Sequence, residues 1–236
     1  MPFCGILLHH LMETSDGVLM ATPLEKARMA PDSMKARILK AARRLFGQYG
    51  FHGTTTRMIA KDVEIDISTL YYHWGEKGDL YEAVIRDIYE DLKLKLSEVE
   101  KVIHGRPLSE RMEISIDMMT DYLFDNPEIS NLILFRYFTK TRHPTGHDIH
   151  VPELISDVAR SMNLSEDKSR ISTSARMQVL AIMNTIHNFI SGEGFFRPML
   201  GLEKKEYVVR VRETLKFILV PAFAGKAALR ARSPAG

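Results

Sequence analysis

Apolar residues recur along most of this chain at the three- and four-residue spacing of helices. From Ser33 onward, Ile38, Ala41, Ala42, Leu45 and Phe46 make one stripe, with Lys35, Lys40, Arg43 and Arg44 off it. Ser33 reads as the N-cap of this helix and Gly50 as its closing glycine. Thr54, Thr55 and Thr56 then offer cap hydroxyls to a short helix around residues 57–61. Residues 63–66 read as a tight connection and 67–74 as a second short helix. From about residue 76, Leu80, Val84, Ile88, Leu92, Leu96, Val99 and Ile103 predict a long helix, ended by His104-Gly105-Arg106-Pro107. Further helices are predicted over 108–124, 128–140, 152–162 and 166–191, with a loop at 143–150. A linker rich in Gly and Pro opens at Gly192, and a last helix runs from Leu202 to near Pro221. No segment alternates as a strand does and no internal repeat is present, so the fold class is all-α.

Composition narrows the picture a little. In 236 residues, 45% are hydrophobic and 26% charged, which excludes a disordered polymer and a collagen-like chain. The single cysteine, Cys4, allows no intrachain disulfide and no cysteine-based zinc cluster, and it points to a reducing, cytoplasmic location. No apolar run approaches the ~20 residues that span a bilayer, and the first residues lack a basic leader, so neither a membrane partner nor a signal peptide is expected. Residues 1–31 carry no sustained period and are expected to be a disordered extension.

The two short helices behind a longer amphipathic one form a helix-turn-helix candidate over about 55–74. In such a unit the second short helix enters the DNA major groove. Its inner face must be apolar, which Ile65, Leu70 and Trp74 supply. Its outer face must offer groove-sized polar groups, which Ser68, Thr69, Tyr72 and His73 supply. Thr55, Thr56, Arg57, Tyr71 and Lys77 sit at the flanks, where phosphates are held. Lys35, Lys40, Arg43 and Arg44 read as a solvated face adding diffuse attraction to DNA.

Four blocks in order carry a family resemblance: Ala41-Ala42-x-x-Leu45-Phe46 with Gly50-Phe51; Thr55-Thr56-Arg57-x-Ile59-Ala60; Thr69-Leu70-Tyr71-Tyr72-His73-Trp74; and Lys77-x-x-Leu80. Together they resemble the TetR (tetracycline-repressor-like) regulators over about residues 33–85. The resemblance implies a three-helix DNA-binding domain at 32–92, joined by a long helix to a larger effector-binding and dimerisation domain at 93–224, with a flexible basic tail at 225–236. It implies a homodimer, paired through its last two helices, that represses transcription at a palindromic double-stranded DNA operator. A small-molecule effector releases it, with no cofactor and no enzymatic activity. It also implies that Arg57, Thr69, Tyr71, Tyr72, His73 and Lys77 meet DNA. In place of the family's turn glycine this chain has Glu64.

The C-terminal half carries no transferable motif. Met119, Tyr122 and Phe135 are candidates to line an effector site, and the Met-rich composition leans toward a hydrophobic ligand. Asn184, His187, Asn188 and Ser191 form a polar stripe on an otherwise apolar helix, facing either a ligand or a second subunit. His143, His147, Asp148 and His150 invite an alternative reading, a helical metal-binding protein or metalloenzyme without operator binding. Pro144 and Gly146 break any helix there, so a loop is expected rather than a metal site.

The net charge of +2 changes meaning once the charges are placed. Residues 32–79 carry eight positives and six negatives, residues 201–236 carry eight and three, and the remainder totals −5. Binding by charge alone is excluded, and what remains is a reader that depends on shape and a few placed contacts.

Overall fold

The computed structural model describes residues 21–138, 150–162, 164 and 171–230, and among them every regular element is a helix. In chain order these are α1 (Pro23–Met29), α2 (Met34–Gly53), α3 (Thr56–Asp62), α4 (Ile67–Trp74), α5 (Lys77–Ile103), α6 (Leu108–Asp125), α7 (Pro127–Phe138), α8 (His150–Ser161), α9 (Thr173–Ser191), α10 (Glu193–Met199) and α11 (Lys204–Arg230). They pack as two compact units, the first ending at Asp87 and the second starting at Ile88, both on α5. No helix among the described residues is long and apolar enough to cross a membrane.

In the first unit the stripe of α2 is buried as its spacing requires. Ile38, Ala42 and Phe46 are fully covered together with Ile59, Leu70, Leu80 and Val84. Each of these side chains larger than alanine contributes roughly 1.5–3 kcal/mol. Phe46, Phe51 and Tyr81 form an aromatic cluster, with Tyr81 edge-on to Phe46 at 5.1 Å and to Phe51 at 5.0 Å. Gly50 leaves the helical region at φ 70° and kinks α2, and the buried Thr54 hydroxyl reaches the carbonyl oxygens of Leu45 (3.0 Å) and Gly50 (2.9 Å).

Regular structure starts before Ser33. Residues 23–29, expected within a disordered extension, form α1, opened by a capping box in which Thr22 and Glu25 satisfy each other's backbone N–H groups. Leu24 and Ala27 are buried, and Arg28 reaches the carboxylate of Asp87 at 2.6 Å, where Arg43 of α2 also arrives at 2.8 Å. Seven residues are too few to show a period, so only the capping pattern marked this helix in the sequence.

In the second unit α6 packs against α11, and α9 against α7 and α8. Ile155, Ala159, Ile171, Ala175 and Val179 form a cluster where α8 meets α9. Lys216 and Arg212 of α11 pair with Asp117 at 2.7 and 3.4 Å, and Arg212 also pairs with Asp121 of α6. Tyr207 is buried and donates its hydroxyl to the Phe189 carbonyl at 2.8 Å; burial, and then Glu193, push its phenol up to about 12. Two expected boundaries fail here. The stretch after Gly192 is helix α10 rather than a linker, and α11 continues past Pro221 to Arg230 into the expected tail.

His187 of α9 is buried, and its Nδ1 shares a hydrogen bond with Ser130 Oγ of α7 at 3.0 Å. Burial lowers its pKa from 6.5 to about 4, so the folded chain holds it neutral. The unfolded chain takes up the proton first, so this contribution is complete above pH 6.5 and drains away as pH falls toward 4. We expect a loss of roughly 2–3 kcal/mol over that window. His187→Gln should flatten the fall of the urea midpoint between those two pH values, and an unchanged slope would refute the assignment.

Candidate nucleic-acid interface

The helix-turn-helix is built from α3, a tight turn and α4. Thr55 caps α3, its hydroxyl accepting from Met58 N at 3.1 Å. At the other end, Ile65 N donates to the Ala60 carbonyl (3.0 Å) and Glu64 N to that of Lys61 (3.3 Å). This pair of bonds is a Schellman turn, which requires a left-handed residue at its centre. Glu64 occupies that place at φ 59°, the one non-glycine residue with positive φ among those described. Asp66 precedes α4 without capping it through its side chain.

The recognition helix is held by clamps from α2. Lys35 Nζ donates to the His73 carbonyl at 2.8 Å in the last turn of α4 and lies 5.4 Å from the Trp74 ring centre. In return, Trp74 Nε1 donates to the Lys35 carbonyl at 3.1 Å. The turn itself is held by Arg37, whose guanidinium reaches the Val63 carbonyl at 3.3 Å, and α3 by an ion pair between Arg44 and Asp62. Of the basic residues expected to form a solvated face, Lys40 and Arg44 are exposed, whereas Lys35 and Arg43 are partly buried. Lys35, Arg43 and Arg44 are spent on structure, and Lys40 alone of the four is exposed with no partner among the described residues. A basic residue facing the C-terminal carbonyls of another helix is the signal that was there to read, but it needs the tertiary fold to be seen.

Lys77 is likewise turned inward. Its ammonium donates to the carbonyls of Phe51 (3.0 Å) and Thr54 (3.1 Å) and sits 4.2 Å from the Phe51 ring centre. One N–H remains for a phosphate. Gly75, at φ 71°, ends α4, and a Cβ there would meet the Asp79 carboxylate at 2.7 Å, while that carboxylate accepts from Glu76 N to open α5.

The outer surface fits the sequence pattern. Tyr72 is 85% exposed and Tyr71 46%, Ser68 is exposed, and Thr69 and His73 are half-buried, while Leu70 and Trp74 are buried beneath them. Ile65, assigned to the inner face, is only half-buried. Arg57 and Thr55 are exposed at the start of α3 and Thr56 is half-buried; Arg57 has no partner among the described residues. The His73 imidazole, 5.3 Å from the Tyr72 ring, is held below its usual pKa by burial and then by Lys35.

The effector candidates separate. Met119 and Tyr122 of α6 and Phe135 of α7 are half-buried, with Lys95 Nζ 5.6 Å from the Tyr122 ring centre. On α9, His187 points inward, whereas Asn184, Asn188 and Ser191 are exposed. The stripe is split between two faces. The histidine segment 143–150 lies outside the described residues except for the backbone of His150, which begins α8.

Residues 38–84 match the family model described as bacterial regulatory proteins, tetR family. Over 101 residues the chain is 26% identical to YttP, a probable HTH-type transcriptional regulator of Bacillus subtilis (strain 168), covering 43% of this chain and 49% of that one. Over 154 residues it is 26% identical to the HTH-type transcriptional regulator UidR of Escherichia coli (strain K12), covering 59% and 74%. The chain thus spans about half the length of YttP. Its fold matches AibR, solved in complex with isovaleryl coenzyme A and operator DNA, with a TM-score of 0.60 and 17% identity over 78% of this chain and 96% of that one.

Two variants test the geometry. Glu64→Gly should relieve the left-handed strain and stabilise the protein by about 0.5–1 kcal/mol, raising Tm by about 1–4 °C. Lys77→Met should act in the opposite sense, leaving two carbonyls without their donor at a cost of roughly 1–3 kcal/mol. Thermal melts that fail to move in these directions would contradict the turn and the clamp.

Proposed function

We propose that this chain, which belongs to the TetR family of transcriptional regulators, acts as a repressor: a homodimer on a palindromic operator, released by a small hydrophobic effector. The observation that carries the DNA reading is the two-sidedness of α4. Tyr71, Tyr72 and Ser68 stand out from a helix whose opposite side is anchored by Leu70 and Trp74. Such a helix presents hydroxyl donors and aromatic edges at a depth that suits a major groove. Arg57, with no partner among the described residues, and Thr55 supply phosphate contacts that fix the register, and the third N–H of Lys77 adds another.

Two copies would place their α4 helices in successive major grooves, about 34 Å apart or a multiple of it. The last helices, with exposed Val209, Phe217 and Ile218 on α11, are the surface for pairing. The effector would enter the second unit, where Met119, Tyr122 and Phe135 offer an apolar, adaptable lining and His187 a neutral polar group. That a chain of similar fold binds both an acyl-thioester ligand and operator DNA supports this division of labour. Coupling between the two sites is expected at about 1–3 kcal/mol, and DNA must weaken effector binding by the same factor.

In a mobility-shift assay with the DNA upstream of its own gene, Arg57→Ala and Tyr71→Phe should each weaken binding by about ten-fold. Log K should also fall by about 0.9 per log unit of salt for each phosphate neutralised. Unchanged affinity in both variants, with helix content intact, would overturn the groove assignment.

A further inference from the structure

Lys35 keeps company that few lysines keep. Lys95, Lys204 and Lys216 each hold the ammonium against a carboxylate, of Glu98, Glu193 and Asp117, and Lys77 gives two of its N–H groups to carbonyls. Lys35 pairs with no carboxylate among the described residues. Its half-buried ammonium donates to a single carbonyl, that of His73 at 2.8 Å, and lies 5.4 Å from the Trp74 ring centre. The charged group that acts on it is another cation, Lys26 of α1, which packs on α2. The His73 imidazole, the titratable group it faces on α4, brings no negative charge either.

These surroundings favour the free amine. Partial burial first, and then repulsion from Lys26, hold Lys35 below the usual lysine range. The free amine keeps two N–H groups, so one can stay on the His73 carbonyl while the lone pair is released for attack. Desolvation and a neighbouring cation are the two means by which a lysine becomes a nucleophile, and both act on this one.

We propose that Lys35 is a modification site, acylated by a small acyl phosphate, and that the acyl group unlatches α4. The exposed Lys26 ammonium supplies the counter-charge for the donor's phosphate. The Lys35 amine attacks the acyl carbon. The C–N bond forms, the acyl C–O bond to phosphate breaks, inorganic phosphate leaves with the electron pair, and the proton of the amine passes to water. The charge and two of the three N–H groups of Lys35 are then gone. Its attraction to the Trp74 ring ends, and the acyl group must be fitted against an indole that is only 5% exposed. An eight-residue helix does not keep its place without that anchor. Release from an operator, the consequence of this unlatching, rests on the proposed function; the site itself does not.

The test incubates the whole chain with acetyl phosphate and follows Lys35 and Lys40 by peptide mass spectrometry. Lys40 lies on the same helix, exposed and with no partner among the described residues, and serves as the reference. Lys35 should be acetylated at least about three-fold faster than Lys40, and Lys26→Gln should slow Lys35 at least about two-fold without slowing Lys40. Trp74 is the only tryptophan of the chain, so its emission should move to the red in step with acetylation of Lys35. Lys35→Arg, compared with its own untreated sample, should show no such movement. Acetylation of Lys35 no faster than of Lys40, or a red shift that persists in Lys35→Arg, would overturn the proposal. Untreated chain that fails to bind DNA would instead overturn the operator reading, while the acetylation rates and the Trp74 emission still decide the site.

Discussion

An eight-residue helix cannot hold its own shape in water. Nucleating a helix costs more than one or two turns of hydrogen bonds return, and helices below about 12–15 residues are marginal even in the best sequences. The recognition helix α4 has eight residues and α3 has seven, so their order is borrowed from α2 and the start of α5. The reciprocal pair is the clearest loan: Lys35 satisfies a terminal carbonyl of α4, and Trp74 returns its indole N–H to the Lys35 carbonyl. The exposed side chains of α4 are only as well placed as this anchor allows. Under the proposed function, substitution at Lys35 would therefore imitate loss of a DNA contact although Lys35 need touch no DNA.

The same economy explains the near-neutral charge of the domain. Cations on α2 that could have thickened a basic surface are instead paired with carbonyls, with Asp62 or with Asp87. Glu64 and Asp66 remain exposed beside α4, where, under the proposed function, phosphates would repel them. Under the proposed function, affinity would then come from hydrogen bonds and shape at a few positions, chiefly Tyr71, Tyr72 and Ser68, with Arg57 on a phosphate. A protein arranged this way gives up non-specific attraction and keeps more of its binding in contacts that depend on sequence.

How much of this was legible in the sequence depended on length and on facing. Helices long enough to repeat their stripe, such as α2 and α5, were legible from spacing alone, as was the outer face of α4. The seven-residue α1 and α10 were not, because neither completes two clear periods; α3, equally short, was legible only through the threonines that cap it. Pro221 misled for a different reason. It deprives the Phe217 carbonyl of its helical donor, but Phe217 is 81% exposed, where water can replace that bond, so the helix continues. The stripe of Asn184, His187 and Asn188 was legible as a period, yet adjacent polar positions fell on opposite sides of the buried boundary. Periodicity gives a direction around a helix but not which neighbour occupies it.

Magnitudes then decide how an effector signal can travel. Asp87 closes the first unit on α5, buried and bonded to Arg28 of α1 and Arg43 of α2. Removing one partner from a buried, hydrogen-bonded ion pair costs roughly 3–5 kcal/mol. An effector coupling of about 1–3 kcal/mol is too small to break that latch, and the Lys35–Trp74 clamp would add to the resistance. Under the proposed function, a ligand in the second unit would therefore not act by loosening α1 or α2 from α5, or α4 from α2. In the proposed homodimer it would instead carry α1, α2, α4 and the first turns of α5 together, changing where two intact α4 helices stand relative to each other rather than what either one looks like. An effector-bound chain should then keep the Lys35–His73 and Arg43–Asp87 contacts unaltered, and hydrogen exchange protection within α2 and α4 should be the same with and without ligand.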